Sequence, residues 1–341
     1  MKIRCLYILI GCVAALNISA QDISKPVIKK TEVQTPKRTT KVESNNRTSV
    51  KKDKTVNRVA PQRNNSYSSN FNSYKQQLSA EEMYEKGEEY YNKKDYAEAV
   101  KWYCKSAEQG NANAQTDLGW MYRNGYGVAQ DYSEAIKWYR KAAEQGDALA
   151  QNYLGASYLA GIGIEKDYTE AIKWILKAVE QKNIDAYQNL YIMYRDGLGV
   201  EKNYTEAAKW CQLGAEQGNV MMQTTLGQIY EKGEGVDKDY IEAIKWYRKA
   251  AEQGEPYAQN NLGTMYHEGQ GGTTNFTEAL KWFHKAAEQG HDSAQFNLGQ
   301  MYLYGEGVSN SLAEAMSWFQ KAAKQGHSGA QKKLKDLNET W

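Results

Sequence analysis

Cysteine and proline are scarce in this chain, with four of each among 341 residues. Four cysteines are too few to staple a miniature secreted scaffold. No Cys-x-x-Cys or His-x-x-x-His pair occurs, and His267, His284, His291 and His327 fall at no metal-ligand spacing. No cofactor is expected. Long apolar runs are missing too: a mean hydropathy of −0.78 with 25% charged residues leaves no room for a multi-span membrane protein. No nucleophile beside a base and no carboxylate pair stands out, so the chain is expected not to be an enzyme. Net charge is small, at +2. It hides an asymmetry, because residues 21–75 hold 13 Lys and Arg against 4 Asp and Glu, whereas residues 76–341 hold 28 against 37.

The N-terminus reads as an address. Lys2 and Arg4 precede an apolar run from Cys5 to Leu16, and Ala20 places a small residue before Gln21, so residues 1–20 are expected to be a secretory signal peptide. The run is shorter than the roughly 20 residues that span a bilayer. The mature chain is therefore expected to be exported, to the periplasm or the extracellular space, without a transmembrane segment. Leu9-Ile10-Gly11-Cys12 offers an alternative, an envelope lipoprotein modified at Cys12. Residues 21–76 follow as a basic stretch of Lys, Thr, Ser and Asn with Pro26, Pro36 and Pro61 and only isolated apolar residues. Such a composition cannot offset its ordering entropy, and a disordered linker is expected. Its charge allows contact with cell-wall polymers or another anionic surface. Nucleic acid is not an expected partner, since aromatic residues appear only at its end, as Tyr67, Phe71 and Tyr74.

What the remainder has in quantity is repetition. Trp102, Trp138, Trp174, Trp210, Trp246, Trp282 and Trp318 stand 36 residues apart. A period of that size with helical patterning means a solenoid of helix pairs, here over residues 77–341. In the second helix of a pair, Ala135, Trp138, Tyr139, Ala142 and Ala143 form one apolar stripe, backed by Lys and Glu. Asp131 and Glu134 have capping-box spacing, repeated as Asp95/Glu98, Asp167/Glu170, Asn203/Glu206, Asp239/Glu242, Asn275/Glu278 and Ser311/Glu314. Gly110, Gly146, Gly218, Gly254, Gly290 and Gly326 are placed to end these helices in a left-handed residue. The first helix carries Leu-Gly with Tyr three residues on, as in Leu118-Gly119/Tyr122. A glycine inside a helix costs about 1 kcal/mol against Ala, so close approach of the partner helix is expected there. The linker reads Gly-x-Gly-Val, as in Gly125-Tyr126-Gly127-Val128. Its recurrence at one repeat position marks turn chemistry and not a phosphate cradle.

The motifs Leu-Gly-x-x-Tyr, Gly-x-Gly-Val, Ala-x-x-Trp-Tyr and Lys-Ala-Ala-Glu-Gln-Gly resemble those of the Sel-one-like repeat family, relatives of the tetratricopeptide repeats. The resemblance covers about residues 79–341. It implies an all-α, right-handed superhelix of seven helix pairs, and a non-catalytic role as scaffold or adaptor for protein partners, here expected in the bacterial cell envelope, since bacterial members are often exported and some are linked to host contact or envelope assembly. One exported branch of the family, credited with binding β-lactams or cell-wall fragments, staples each repeat with a cysteine pair. That pair is absent here. A carbohydrate or peptidoglycan ligand remains the alternative, prompted by 26 Tyr and 9 Trp.

The copies differ in informative places. The first unit has an inter-helix loop four residues shorter than the others and is expected to cap the array, as is a polar helix near Ser328–Leu337. In the fourth unit Lys182 replaces the terminating Gly and Tyr191 replaces the mid-helix Gly, which predicts a displaced facing helix. Gly269-Gln270-Gly271-Gly272 lacks the usual Val and predicts a looser turn. Cys104 and Cys211, three repeats apart, are expected to be buried and unpaired. By alignment to the tetratricopeptide pattern, positions −3, +1, +4 and +5 from the Leu-Gly glycine face a concave wall free of core duties. The binding residues expected there are Trp120, Arg123, Asn152, Leu159, Gln188, Arg195, Gln228, Glu231, Asn260, His267, Phe296, Gln300, Leu303 and Tyr304. Trp120 is the expected aromatic anchor, and Phe296, Leu303 and Tyr304 a second apolar patch. An extended peptide or a helix of a protein partner suits such a wall.

Overall fold

The computed structural model describes residues 78–337. The expected signal peptide, the Cys12 alternative and the basic linker lie outside the described residues. Fifteen helices follow one another without a strand among the described residues: α1 Ala80–Asn92, α2 Tyr96–Glu108, α3 Ala112–Asn124, α4 Tyr132–Glu144, α5 Ala148–Ala160, α6 Tyr168–Glu180, α7 Ile184–Asp196, α8 Tyr204–Glu216, α9 Val220–Lys232, α10 Tyr240–Glu252, α11 Pro256–Glu268, α12 Phe276–Glu288, α13 Asp292–Tyr304, α14 Leu312–Lys324 and α15 Ser328–Asp336. Each odd helix packs most closely on the even helix that follows, and each pair packs on the next. This is the expected solenoid of seven pairs, closed by α15.

Local chemistry sets each boundary. Asp131 accepts a hydrogen bond from the Glu134 amide at 2.9 Å to start α4, and the equivalent cap opens every even helix. The reciprocal half of the expected capping box forms only at Ser79/Glu82 among the described residues. In α4 the Glu134 carboxylate turns instead to Lys137 at 2.7 Å, and the same i,i+3 pair recurs down the array. From α3 to α13 the odd helices end on the first glycine of the linker in left-handed conformation, with φ from 69° to 75°. Lys182, where even helices are otherwise followed by Gly, is forced to φ 60°. A side chain in that region costs roughly 1–2 kcal/mol. Lys182→Gly is therefore expected to stabilise the chain by about 1 kcal/mol, read as a raised urea midpoint with unchanged slope.

The stripe residues Ala135, Trp138, Tyr139, Ala142 and Ala143 are all buried. Gly119 admits the ring of Tyr139 so closely that an added Cβ would stand 2.7 Å from it, as expected for a mid-helix glycine facing an aromatic partner. The fourth unit reverses this fit: Tyr191 takes the glycine position, and Cys211 stands where other pairs place Tyr139, Tyr247 or Phe283. The pair therefore still closes. What loosens is the seam before it, between α6 and α7, which is the sparsest between consecutive helices of neighbouring pairs. There Ile184 replaces the alanine of Ala112 and Ala148, and Asp185 is half buried, its carboxyl raised by desolvation. The linker at Gly271 also sits farther from its neighbour, with an added Cβ finding its nearest atom at 3.1 Å, whereas Gly127 and Gly235 would collide with the backbone of the preceding pair.

A glutamine ladder joins successive units. Gln115 donates to the Ala107 carbonyl at 3.0 Å and accepts from Gln145 at 2.7 Å. The same relay runs through Gln151 and Gln181, Gln223 and Gln253, Gln259 and Gln289, and Gln295 and Gln325, with interglutamine distances of 2.7–2.9 Å. Gln115, Gln151, Gln223, Gln259 and Gln295 are buried, and pairing them removes the penalty an orphaned polar group would carry. In the fourth unit Tyr187 replaces the ladder glutamine and stacks on Trp210 at 6.3 Å. Six of the seven even-helix tryptophans, all but Trp210, are covered from outside by a lysine three residues on, at 3.9 Å for Lys141 over Trp138 and 3.5 Å for Lys321 over Trp318.

Candidate binding wall

The residues expected to line the wall lie on the odd helices, and some of them are less free than the spacing predicts. Thr116, Asn152 and Thr224, all at position −3, are buried with 2–4% exposure. Their polar atoms bond the next unit: Thr116 Oγ1 donates to Asp147 at 3.0 Å, Thr224 Oγ1 to Glu255 at 3.3 Å, and Asn152 Oδ1 accepts from Asn189 at 2.7 Å. Asn260 accepts likewise from Asn297 at 3.1 Å. Position −3 thus serves the seam between units, correcting the expectation that it has no core duty. Phe296 is absorbed in the same way, stacked on His327 at 4.7 Å and 5.6 Å from Phe319, and Leu303 packs against the last core cluster. Of the expected apolar patch only Tyr304 stays exposed, with its hydroxyl accepting from Lys333 at 2.9 Å.

Residues at positions +1, +4 and +5 keep partial or full exposure, as does a residue the sequence reading passed over, the middle residue of Gly-x-Gly. Its side chain reaches back to the preceding unit. Tyr126 stacks on Tyr96 at 5.0 Å and lies 5.1 Å from Trp120, which meets Tyr91 edge-on at 6.1 Å. Trp120 is therefore half buried within an aromatic box, with Tyr126 exposed at its rim. The signal was available, because this position varies as Tyr126, Ile162, Leu198, Glu234, Gln270 and Glu306 while its flanking glycines do not.

Farther along, Leu159 and Gln188 are half buried, as is Arg123, whereas Gln228 is exposed. Arg195 forks onto Asp196 with two bonds of 2.7 Å and lies over the Tyr191 ring, so this cation is already neutralised. The Asp196 hydrogen bond raises its pKa further, and it stays charged. Glu231 accepts from Tyr247 at 2.5 Å. That phenol is pushed well above its ordinary range by burial and then by the Glu231 bond. His267 Nε2 meets Glu306 at 2.9 Å, bridging two units. Beside this pair opens a cleft of about 240 Å³ lined by Thr264, His267, Glu268, Phe283, Asn297, Gln300, Tyr304 and Glu306. The wall thus brings His267, Gln300 and Tyr304 together and leaves Trp120 at the far end.

Among the described residues, neither Cys104 nor Cys211 forms a disulfide. Cys211 is buried and its thiol is pushed up to about 12, which leaves no thiolate for attack at neutral pH. Cys104 is only half buried, against the expectation, and bonds Glu108 at 3.5 Å. Among the described residues no three His, Cys, Asp or Glu side chains converge as a metal site would need, and no helix is long and apolar enough to cross a membrane.

The family profile of the Sel1 repeat matches seven consecutive segments, 77–111, 112–147, 148–183, 186–219, 221–255, 256–291 and 292–327. The chain belongs to the Sel1 repeat family. Among solved Sel1 repeat structures, c5321, a protective antigen of uropathogenic Escherichia coli with an SLR fold, is 39% identical at a TM-score of 0.68, covering 76% of this chain and 56% of its own. This chain therefore spans little more than half of that protein. A Sel1 repeat protein from Oxalobacter formigenes is 35% identical at a TM-score of 0.61, covering 70% of this chain and 96% of its own. No curated protein matches the chain. Sel1 repeats generally serve as protein–protein interaction scaffolds and not as catalysts.

Proposed function

We propose that this Sel1 repeat protein is a non-catalytic scaffold of the bacterial cell envelope that holds an extended or helical segment of a protein partner along the odd-helix wall. The observation that carries the reading is the contrast between the faces of one unit. The stripe, caps and ladder repeat almost unchanged because each has a packing duty. The wall positions +1, +4 and +5 and the linker residue vary in size and charge from unit to unit. Variation on a rigid, periodic frame is what a partner with a non-periodic sequence requires. Export rests on the leader over residues 1–20, and sequencing the N-terminus of the mature protein distinguishes cleavage before Gln21 from modification at Cys12.

A photo-crosslinking amino acid at Gln228 or Gln300 is expected to yield adducts with a partner protein, and one at Lys137 on the opposite face of the array none. Adducts from Lys137 alone would place the partner elsewhere. The half-exposed box of Trp120 and Tyr126 is the one feature that favours a carbohydrate, since sugars stack on such rings. Saturable sedimentation of the full chain with isolated cell walls, lost on Trp120→Ala, would replace the protein partner with peptidoglycan.

A further inference from the structure

The wall changes character half-way along. In the units built on α3, α5 and α7 the residues that face it are Trp120, Tyr126, Leu159, Ile162, Ile192 and Leu198, all half buried or exposed. The charges in this stretch are Arg123 and the Arg195–Asp196 pair, whose bidentate contact cancels it locally. From α9 onward the same positions turn acidic. Glu231, Glu234, Glu268 and Glu306 outnumber the permanent cations near them, Lys232, which pairs with Glu234 at 3.8 Å, and Lys333 at the Tyr304 rim, and the cleft lies between the last two of these carboxylates. Within the cleft His267 and Glu306 are paired at 2.9 Å, and Glu268 accepts from Gln270 at 2.5 Å. The exposed ring of Tyr304 forms its rim and already draws the Lys333 ammonium to 5.3 Å of its centre.

Resting on the scaffold reading above, we infer that the segment held by this wall is bipartite, with an apolar end lying over α3, α5 and α7 and a lysine- or arginine-bearing end over α9, α11 and α13, one cationic side chain entering the cleft. Charge complementarity selects this occupant. An acidic segment would meet four carboxylates and a uniformly polar one would leave the aliphatic and aromatic half of the wall in water. A guanidinium or ammonium group in the cleft meets the Glu306 and Glu268 oxygens and the Tyr304 face, and such charge-assisted bonds are stronger than neutral ones. The aliphatic half supplies the non-directional part of the affinity. Charged contacts then fix which way round the segment lies, because the reversed orientation sets cations against leucine and isoleucine and leaves the carboxylates unpaired.

The test uses the full chain and two synthetic peptides of one composition, one with its Leu and Phe residues in one half and its Lys and Arg residues in the other, the second with the same residues evenly mixed. Fluorescence anisotropy is expected to show the block peptide binding about tenfold more tightly, and Glu306→Gln with Glu268→Gln is expected to erase most of that advantage. A photo-crosslinker at the basic end of the block peptide is expected to mark α11 or α13, and one at the apolar end α3 or α5. Equal affinity for the two peptides, both crosslinked to the odd helices, would overturn the bipartite assignment and leave the scaffold wall standing. Absence of saturable binding by either peptide, or crosslinks confined to the even helices, would overturn the inference, the latter together with the wall itself. Because Glu268 is exposed and Glu306 lies in a linker, circular dichroism of the double variant is expected to match the parent.

Discussion

Trp174→Ala is expected to remove about 3–5 kcal/mol of stability, the cost of emptying a large aromatic site in a packed core. Trp174 is 7% exposed, donates its indole proton to Glu170 at 2.9 Å and lies under the Lys177 ammonium at 4.2 Å. The same stripe position is filled by tryptophan in all seven units, and each ring is an inward-facing part of a pair that cannot bury itself alone. A solenoid holds together only through neighbouring units, and Trp174 stands just before the sparse α6–α7 seam. Its loss is therefore expected to uncouple the two sides, so that urea unfolding followed by far-ultraviolet dichroism becomes broader or biphasic. Lys177→Ala, which removes only the exposed cation, is expected to cost less than about 1 kcal/mol. Identical unfolding curves for Trp174→Ala and the parent would show the stripe to be misplaced.

The second large effect is a coupled one. Tyr191→Gly alone empties the space a phenol fills between α7 and α8, and a loss of about 3–5 kcal/mol is expected. Cys211→Tyr alone drives a ring into the same space while Tyr191 still occupies it, an overpacking of roughly 1–3 kcal/mol. The double change recreates the arrangement of Gly119 with Tyr139 or Gly227 with Tyr247, where the glycine exists to admit the ring. It is expected to recover most of both losses, with an interaction energy of about 2 kcal/mol or more in a double-mutant cycle. Strict additivity of the two changes would mean that the sites do not share a space. The replacement of a glycine–aromatic pair by a tyrosine–cysteine pair explains why the fourth unit keeps its pair closed despite losing the glycine. The expectation of a displaced partner helix failed because it considered Tyr191 without the residue 20 positions on.

The wall was legible in part. Its frame could be read because Leu-Gly marks one turn of α3, α5, α9, α11 and α13 and so indexes the positions around it. Residues at offsets +1, +4 and +5 keep at least partial exposure, although Trp120 and Leu303 also pack against core clusters, and His267, Gln300 and Tyr304 meet at one cleft. The offset −3 did not stay free, since Thr116 and Thr224 reach the capping residues of the next unit, 31 residues away. Phe296 looked like a surface anchor until α15 supplied His327 to cover it. The linker residue was missed for the opposite reason: read as turn chemistry, Gly-x-Gly drew attention to its glycines and away from the side chain between them, which contacts a residue 39 positions earlier in the case of Glu306 and His267.

By itself the sequence determined everything that a window of four or five residues can decide. Asp, Asn or Ser at the N-cap, glycine at the left-handed termini, and apolar residues at i, i+3 and i+4 act through the backbone of their own helix, so their outcome does not depend on what lies across the core. The period of 36 then dictated that such helices stack, because a pair with an apolar face must find another. Only the tertiary structure decided which polar residues were consumed by that stacking. A buried glutamine relay, a threonine bonded to the neighbouring cap, and an apolar stretch of wall passing into an acidic one arise between residues some 30 to 40 positions apart, where side-chain reach and the seam between units, and not local propensity, choose the partner.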